Sequence, residues 1–111
     1  MPIWNIASVA TEPEVSLLRW RVLEIDDGTR HFVGLDDRNF TGRVSSAIVA
    51  FDLATQRGKT LSNRVYQLVG DPGHADNADY VWQEWCAVNQ VKSFSDVTKQ
   101  LLLGAVDDAP E

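Results

Sequence analysis

Two sequence periods divide this chain: alternation of apolar and polar positions in its first two thirds, and a three-to-four-residue recurrence after that. From Arg43 to Gly70 it reads RVSSAIVAFDLATQRGKTLSNRVYQLVG. Two segments rich in β-branched and aromatic residues, Val44–Leu53 and Thr60–Val69, flank a polar connection, Ala54–Lys59, that holds Gly58. That form predicts a β-hairpin with a longer loop. Upstream, Val15–Ile25 predicts a first long strand. Strict alternation puts Leu18, Trp20 and Val22 on one face and Leu17, Arg19, Arg21, Leu23 and Ile25 on the other. Asp26-Asp27-Gly28-Thr29 is a tight-turn sequence, and Arg30–Leu35 returns as a second strand. Asp36–Gly42 is a polar loop, within which Phe40 is expected to anchor to the core.

Asp71-Pro72-Gly73 stops the strand before it, because Pro72 lacks a donor and Gly73 permits a turn. Beyond it Ala78, Val81, Trp82, Trp85, Cys86 and Asn89 recur at helical spacing, which predicts a helix over Asn77–Asn89. Asp76 is its expected N-cap, and Trp82 and Trp85 are both expected to be largely buried. Val91–Phe94 then predicts an extended segment, followed by a short helix over Asp96–Leu103 capped by Ser95 or Ser93. A strand over Val91–Thr98 is the competing reading, since Val, Phe and Thr suit a pleated surface.

These elements predict one α+β domain over residues 1–103, with 104–111 as a disordered acidic tail. Its core is a twisted antiparallel meander of four to five strands, curled at most into a small partly open barrel. The Trp-bearing helix and the short final helix pack against it. Residues 3–9 either close the sheet as another strand or leave Trp4 exposed for a partner.

Composition narrows the class. At 111 residues and 44% hydrophobic content, the chain can bury a core without metal or disulfide support. A single cysteine, Cys86, excludes an intramolecular disulfide. No apolar run approaches the roughly 20 residues that span a bilayer. The first residues, MPIWNIASVATEPE, lack the basic start of a secretory leader, so the expected location is cytoplasmic and no membrane partner is expected. The net charge of −6 is unevenly spread: Leu17–Gly70 is slightly basic, and the chain from Asp71 onward is strongly acidic. Overall acidity opposes non-specific binding to nucleic acid, although a local basic face would still attract it.

Candidate chemistry is sparse. His74 lies among Asp71, Asp76, Asn77 and Asp79, but counting a calcium loop from Asp71 puts Asp76 where glycine belongs and Trp82 where glutamate belongs. Zinc would need more nitrogen or sulfur ligands than His74 supplies, so no metal and no cofactor are expected. His31 falls in a strand and Cys86 on an apolar helix stripe, where a thiol is ordinarily inert. Ser45 and Ser46 lack a nucleophile elbow, and no phosphate loop or dinucleotide fingerprint occurs.

The arginines are the better lead. Alternation would place Arg19, Arg21, Arg43 and Arg64 on the sheet with His31 and Tyr66, the mixture of cations and aromatics that grips single-stranded nucleic acid. The plainer expectation is a wet sheet face whose arginines pair with Glu24, Asp26 or Asp52. Three functions follow in order. The first is a non-catalytic protein-binding or regulatory module, acting on a partner or on its own copy through a sheet face or edge strand. The second is a nucleic-acid-binding module using those arginines. The third is a small hydrolase-like enzyme using His31 or His74.

Overall fold

A computed structural model describes residues 14–107, with side chains as far as 102. The expected strand over 3–9, the position of Trp4 and residues 108–111 lie outside the described residues. The elements are β1 (Glu14–Ile25), β2 (Arg30–Asp36), β3 (Gly42–Val44), β4 (Ile48–Asp52), β5 (Arg57–Thr60), β6 (Val65–Leu68), α1 (Asp76–Val88), β7 (Phe94–Asp96) and α2 (Thr98–Asp107). The strands form one sheet in the order β3-β2-β1-β6-β5-β4, and β7 also pairs with β1. The α+β class and the two helices are as the pattern predicts. The strands number seven, and the sheet is curled without closing.

The order departs from a simple meander, since β3 and β4, consecutive in the chain, stand at opposite ends of the sheet. β6 returns beside β1 in parallel, with Glu14 opposite Val65 and Leu17 opposite Leu68. Farther along the same edge of β1, β7 pairs antiparallel with Leu23–Ile25. The gap between them is closed without a strand. Gly73 N–H donates to the Trp20 carbonyl (3.1 Å), Val22 N–H donates to Thr98 Oγ1 (2.8 Å), and Val97 N–H donates to the Val22 carbonyl (2.9 Å). Main-chain groups of Trp20 and Val22 thus find partners between the two flanking strands.

A β-bulge changes which residues of β1 point inward. The register with β2 shifts between Leu18 and Arg21, and Arg19 sits at φ 48° in the left-handed region. The inward set is therefore Val15, Leu17, Trp20 and Val22, and Leu18 is only half-buried. Strict alternation fails here because one extra residue moves everything after it to the opposite face. The concave side of the sheet closes on Phe32, Tyr66, Leu68 and Val97, with Leu101 and Leu102 of α2 packed against it. The convex side buries Leu23 and Val33 under Ala78 and Trp82 of α1.

The central run differs from its expected form. β5 begins at Arg57, inside the stretch read as connection, and a second turn at Leu61–Arg64 splits the segment read as one strand. Gln56 and Asn63 supply left-handed backbone at those two turns. α1 spans Asp76–Val88 and its N-cap is Ala75, so Asp76 stands in the first turn beside Asp79, where acids still favour the helix dipole. Trp82 is buried as expected, but Trp85 is only half-buried, stacked on Trp82 at 5.3 Å. In the final stretch, Phe94–Asp96 is strand and the helix starts later, at Thr98, whose N–H bonds to Asp96 Oδ1 at 2.9 Å. That helix runs beyond Gly104 to Asp107. Among the described residues no helix is long and apolar enough to cross a membrane.

Phe40 does not reach the core. It is 57% exposed at the β2–β3 loop with φ 59°, and its N–H closes the loop on the Asp36 carbonyl at 2.8 Å. A bulky side chain in that conformation is strained, whereas glycine takes it freely. Phe40→Gly should therefore raise stability by about 0.5–1 kcal/mol, seen as a higher urea midpoint at unchanged slope. A lower midpoint would mean that Phe40 makes contacts worth more than its backbone strain.

Candidate functional site

The arginines do not form a single exposed basic face. Arg19 is exposed at the bulge, with Nη1 3.5 Å from the His74 carbonyl. Arg21 is half-buried; its Nη2 lies 2.6 Å from Asp79 and its Nη1 3.9 Å from Asp96. The bulge breaks the two-residue alternation on which their shared face depended. Arg43 sits beside the buried Asp36 carboxylate at 3.4 Å, and Arg38 grips that same carboxylate at 3.0 and 2.7 Å. The hydrogen bonds from Arg38 hold the Asp36 carboxyl below the ordinary carboxylate range. Arg64 is buried, and Tyr66 lies in the concave core against Phe32 at 5.6 Å between ring centroids. Of the expected partners, Glu24 holds Arg30 at 3.0 Å; Arg21, Arg38, Arg43 and Arg57 meet Asp79, Asp96, Asp36 and Glu14 instead.

His74, Asp76 and Asp79 come together at the start of α1, their ligand atoms all within 4.8 Å of one another. One imidazole and two carboxylates are donors that a divalent ion accepts. Asp79 is already shared between His74 Nε2 (2.5 Å) and Arg21 (2.6 Å), and the helix N-terminus beside it carries positive partial charge. The Arg21 guanidinium and the His74 ring nitrogen therefore already occupy this carboxylate.

His31 is the most enclosed titratable base among the described residues, at 4% exposure. Nδ1 donates to the Ser45 carbonyl at 2.9 Å, and Nε2 is 2.8 Å from Thr29 Oγ1. The Thr29 oxygen is also 2.7 Å from Asp27 Oδ1. The ring packs on Trp85 at 4.7 Å and faces Trp82 at 6.5 Å. Burial pushes the His31 pKa below its ordinary value, opposed by the Ser45 hydrogen bond and by the charge of Asp27. A histidine with a depressed folded pKa binds fewer protons than its unfolded counterpart, so the native state loses stability as pH falls through the unfolded value near 6.5. The loss stops growing below the folded pKa. A urea midpoint that drops between pH 7.5 and pH 5 by more in the parent than in His31→Gln is the expected result; equal drops would show that His31 titrates alike in both states. Cys86 is half-buried, burial raises its thiol pKa, and no hydrogen bond joins it to His31 or His74.

The remaining surface with a defined geometry is the free edge at β4. β4 pairs with β5 on one side and ends the sheet on the other, so its outer row of N–H and C=O groups meets no described strand. At the opposite end β3 is three residues long and packs against α1, where a Cβ on Gly42 would stand 2.5 Å from the Asn77 carbonyl oxygen. From Ala47 to Phe51 the edge carries no charge, and Val49, the residue inside a register shift, is 53% exposed. Leu61, 67% exposed, lies nearby, its N–H donating to the Ala47 carbonyl at 2.9 Å.

The registers order the outer face beside this edge into two rows. One runs Glu14, Val65, Lys59, Ala50, and the next Ser16, Gln67, Arg57, Asp52. Arg57 is held by both oxygens of Glu14 at 2.9 and 3.0 Å. Lys59 is exposed and makes no ion pair with a described residue. A shallow cavity of about 290 Å³ opens between Ala50, Phe51, Lys59 and Val65. The pattern of the sequence marks this run as a strand but does not reveal that it is an edge, because an edge is defined by pairings made elsewhere. Comparisons with protein-family models, curated proteins and solved structures find no match for this chain.

Proposed function

We propose that this domain is a non-catalytic protein-binding module that takes an extended segment of a partner onto β4. The observation that carries the reading is the edge of β4, which no described strand covers and which is free of charge from Ile48 to Phe51, set against the short, helix-packed strand at the sheet's other end. Exposed edges of this kind recruit strands through main-chain hydrogen bonds, and alternate side chains then supply selectivity. The bulge at Val49 twists the edge, which discourages indiscriminate stacking while leaving Ala50–Asp52 in regular pairing geometry.

A screen of peptides displayed on phage, followed by hydrogen exchange of the free and the bound domain, tests this. Selected peptides are expected to alternate apolar and polar residues and to slow exchange at Ile48–Asp52. Selection of amphipathic helical peptides, or protection confined to α1, would remove the reading.

A further inference from the structure

From the two cross-strand rows we infer that the segment taken by β4 is an extended peptide with an acidic side chain opposite Ala50. This rests on the edge reading above and adds the chemistry of the partner. An added strand extends each row by one position. The residue facing Ala50 falls two strand spacings, about 10 Å, from the Lys59 backbone. Ala50 is too small to block the way, so the Lys59 ammonium and a carboxylate on the added strand meet over its methyl group. Lys59 is the cation available for this, because Arg57 on the neighbouring row is occupied by both oxygens of Glu14. In the other row the end position is Asp52, whose Oδ1 accepts the Ala54 N–H at 3.0 Å and whose charge favours a cation opposite. Between the rows, Phe51 is half-buried toward the concave core, and an apolar side chain opposite it extends that core.

Antiparallel addition therefore reads cation, apolar, acid along the partner chain, facing Asp52, Phe51 and Ala50 in turn. The cavity beside Ala50 and Val65 leaves room for the acidic side chain to lie down. Lysine opposite Ala50 would instead face Lys59 across the same gap, and like charges on neighbouring strand positions repel. The rows thus select charge order as well as strand geometry.

The test uses an acetylated, amidated heptapeptide, Thr-Val-Lys-Val-Glu-Val-Thr, titrated into the labelled full chain and followed by amide shifts at Ile48–Asp52. Lys59→Glu is expected to weaken binding about fivefold or more, and a peptide with lysine in place of its glutamate should recover the loss on that variant. N-methylation of one alternating set of peptide amides should abolish binding, and of the other set should not. Binding at β4 that ignores both Lys59→Glu and the charge-swapped peptide would overturn the acidic partner while leaving the edge reading in place. Shifts confined to another surface, or no binding by either peptide, would overturn both. A dimer of the chain that protects β4 from exchange would identify a second copy as the occupant and likewise overturn the inference.

Discussion

Replacing Trp20 with Ala should cost about 3–5 kcal/mol and lower the melting midpoint by about 12 °C or more. Trp20 has no exposed surface and is the bulkiest of the fully buried residues. It is the first inward residue after the bulge, and it joins Leu17 and Val22 of its own strand to Phe32, Tyr66 and Val97. Its Nε1 also donates to the Gly70 carbonyl at 3.1 Å, fixing the chain between β6 and α1 to the sheet. Two comparisons sharpen the expectation. Trp82 is nearly as enclosed, at 2% exposure, but its Nε1 is buried without a partner, so Trp82→Phe gives up no hydrogen bond whereas Trp20→Phe gives up one. Trp85, half-buried, should lose less on truncation than Trp20, although sequence spacing alone gives it the full cost of a buried aromatic. A Trp20→Ala melt within about 2 °C of the parent would place this indole outside the core.

Gly58→Val should destabilise by about 1–3 kcal/mol, against the direction that strand preference indicates. Gly58 lies in the middle of a strand, where a β-branched residue ordinarily gains. A Cβ built there, however, would stand 2.5 Å from Phe32 Cε2 and closer still to Cζ. Phe32 cannot yield, because it is fully buried and packed against Tyr66 at 5.6 Å and Phe51 at 6.1 Å. Steric exclusion therefore outweighs propensity. Phe32→Leu made together with Gly58→Val should recover part of the loss, giving a coupling that separate sites would not show. Equal or greater stability of Gly58→Val alone would mean that β5 does not fold over Phe32.

The same glycine explains part of what the sequence concealed. Gly58 beside Lys59 reads as loop, and its actual reason, the ring beneath it, belongs to a residue 26 positions earlier in the chain. The β1–β2 hairpin was legible because Asp26-Asp27-Gly28-Thr29 is local chemistry: Asp27 Oδ1 accepts from Thr29 N–H at 2.9 Å, and Gly28 takes φ 89°. The bulge was not, because Arg19 holds a left-handed backbone without being Gly or Asn. The α1 stripe gave Ala78 and Trp82 correctly, and it overreached at Trp85 since a helix face shows which residues point one way, not how far the sheet beneath extends. For the site, charge and residue type directed attention to Arg19, Arg21, Arg43 and Arg64. Arg21 meets Asp79 of α1 and Asp96 at the end of β7, and Arg43 meets Asp36 at the end of β2, contacts that alternation within one strand does not disclose.

β1 is bordered along one edge first by β6 and then by β7, and this sets the order in which the molecule can assemble. Val22 N–H waits for Thr98, a partner 76 residues away, and the concave core waits for Val97 and the first turn of α2. On a ribosome, the early hairpin can form as soon as Arg30–Asp36 has emerged, but its central strand keeps an open, apolar flank until the last helix is out. Loop closure of that length is an entropic barrier met late, so folding should run at the slow end for a domain of this size. A chain halted at that stage would have one finished hairpin and an uncovered Trp20, apolar surface of the kind that promotes aggregation.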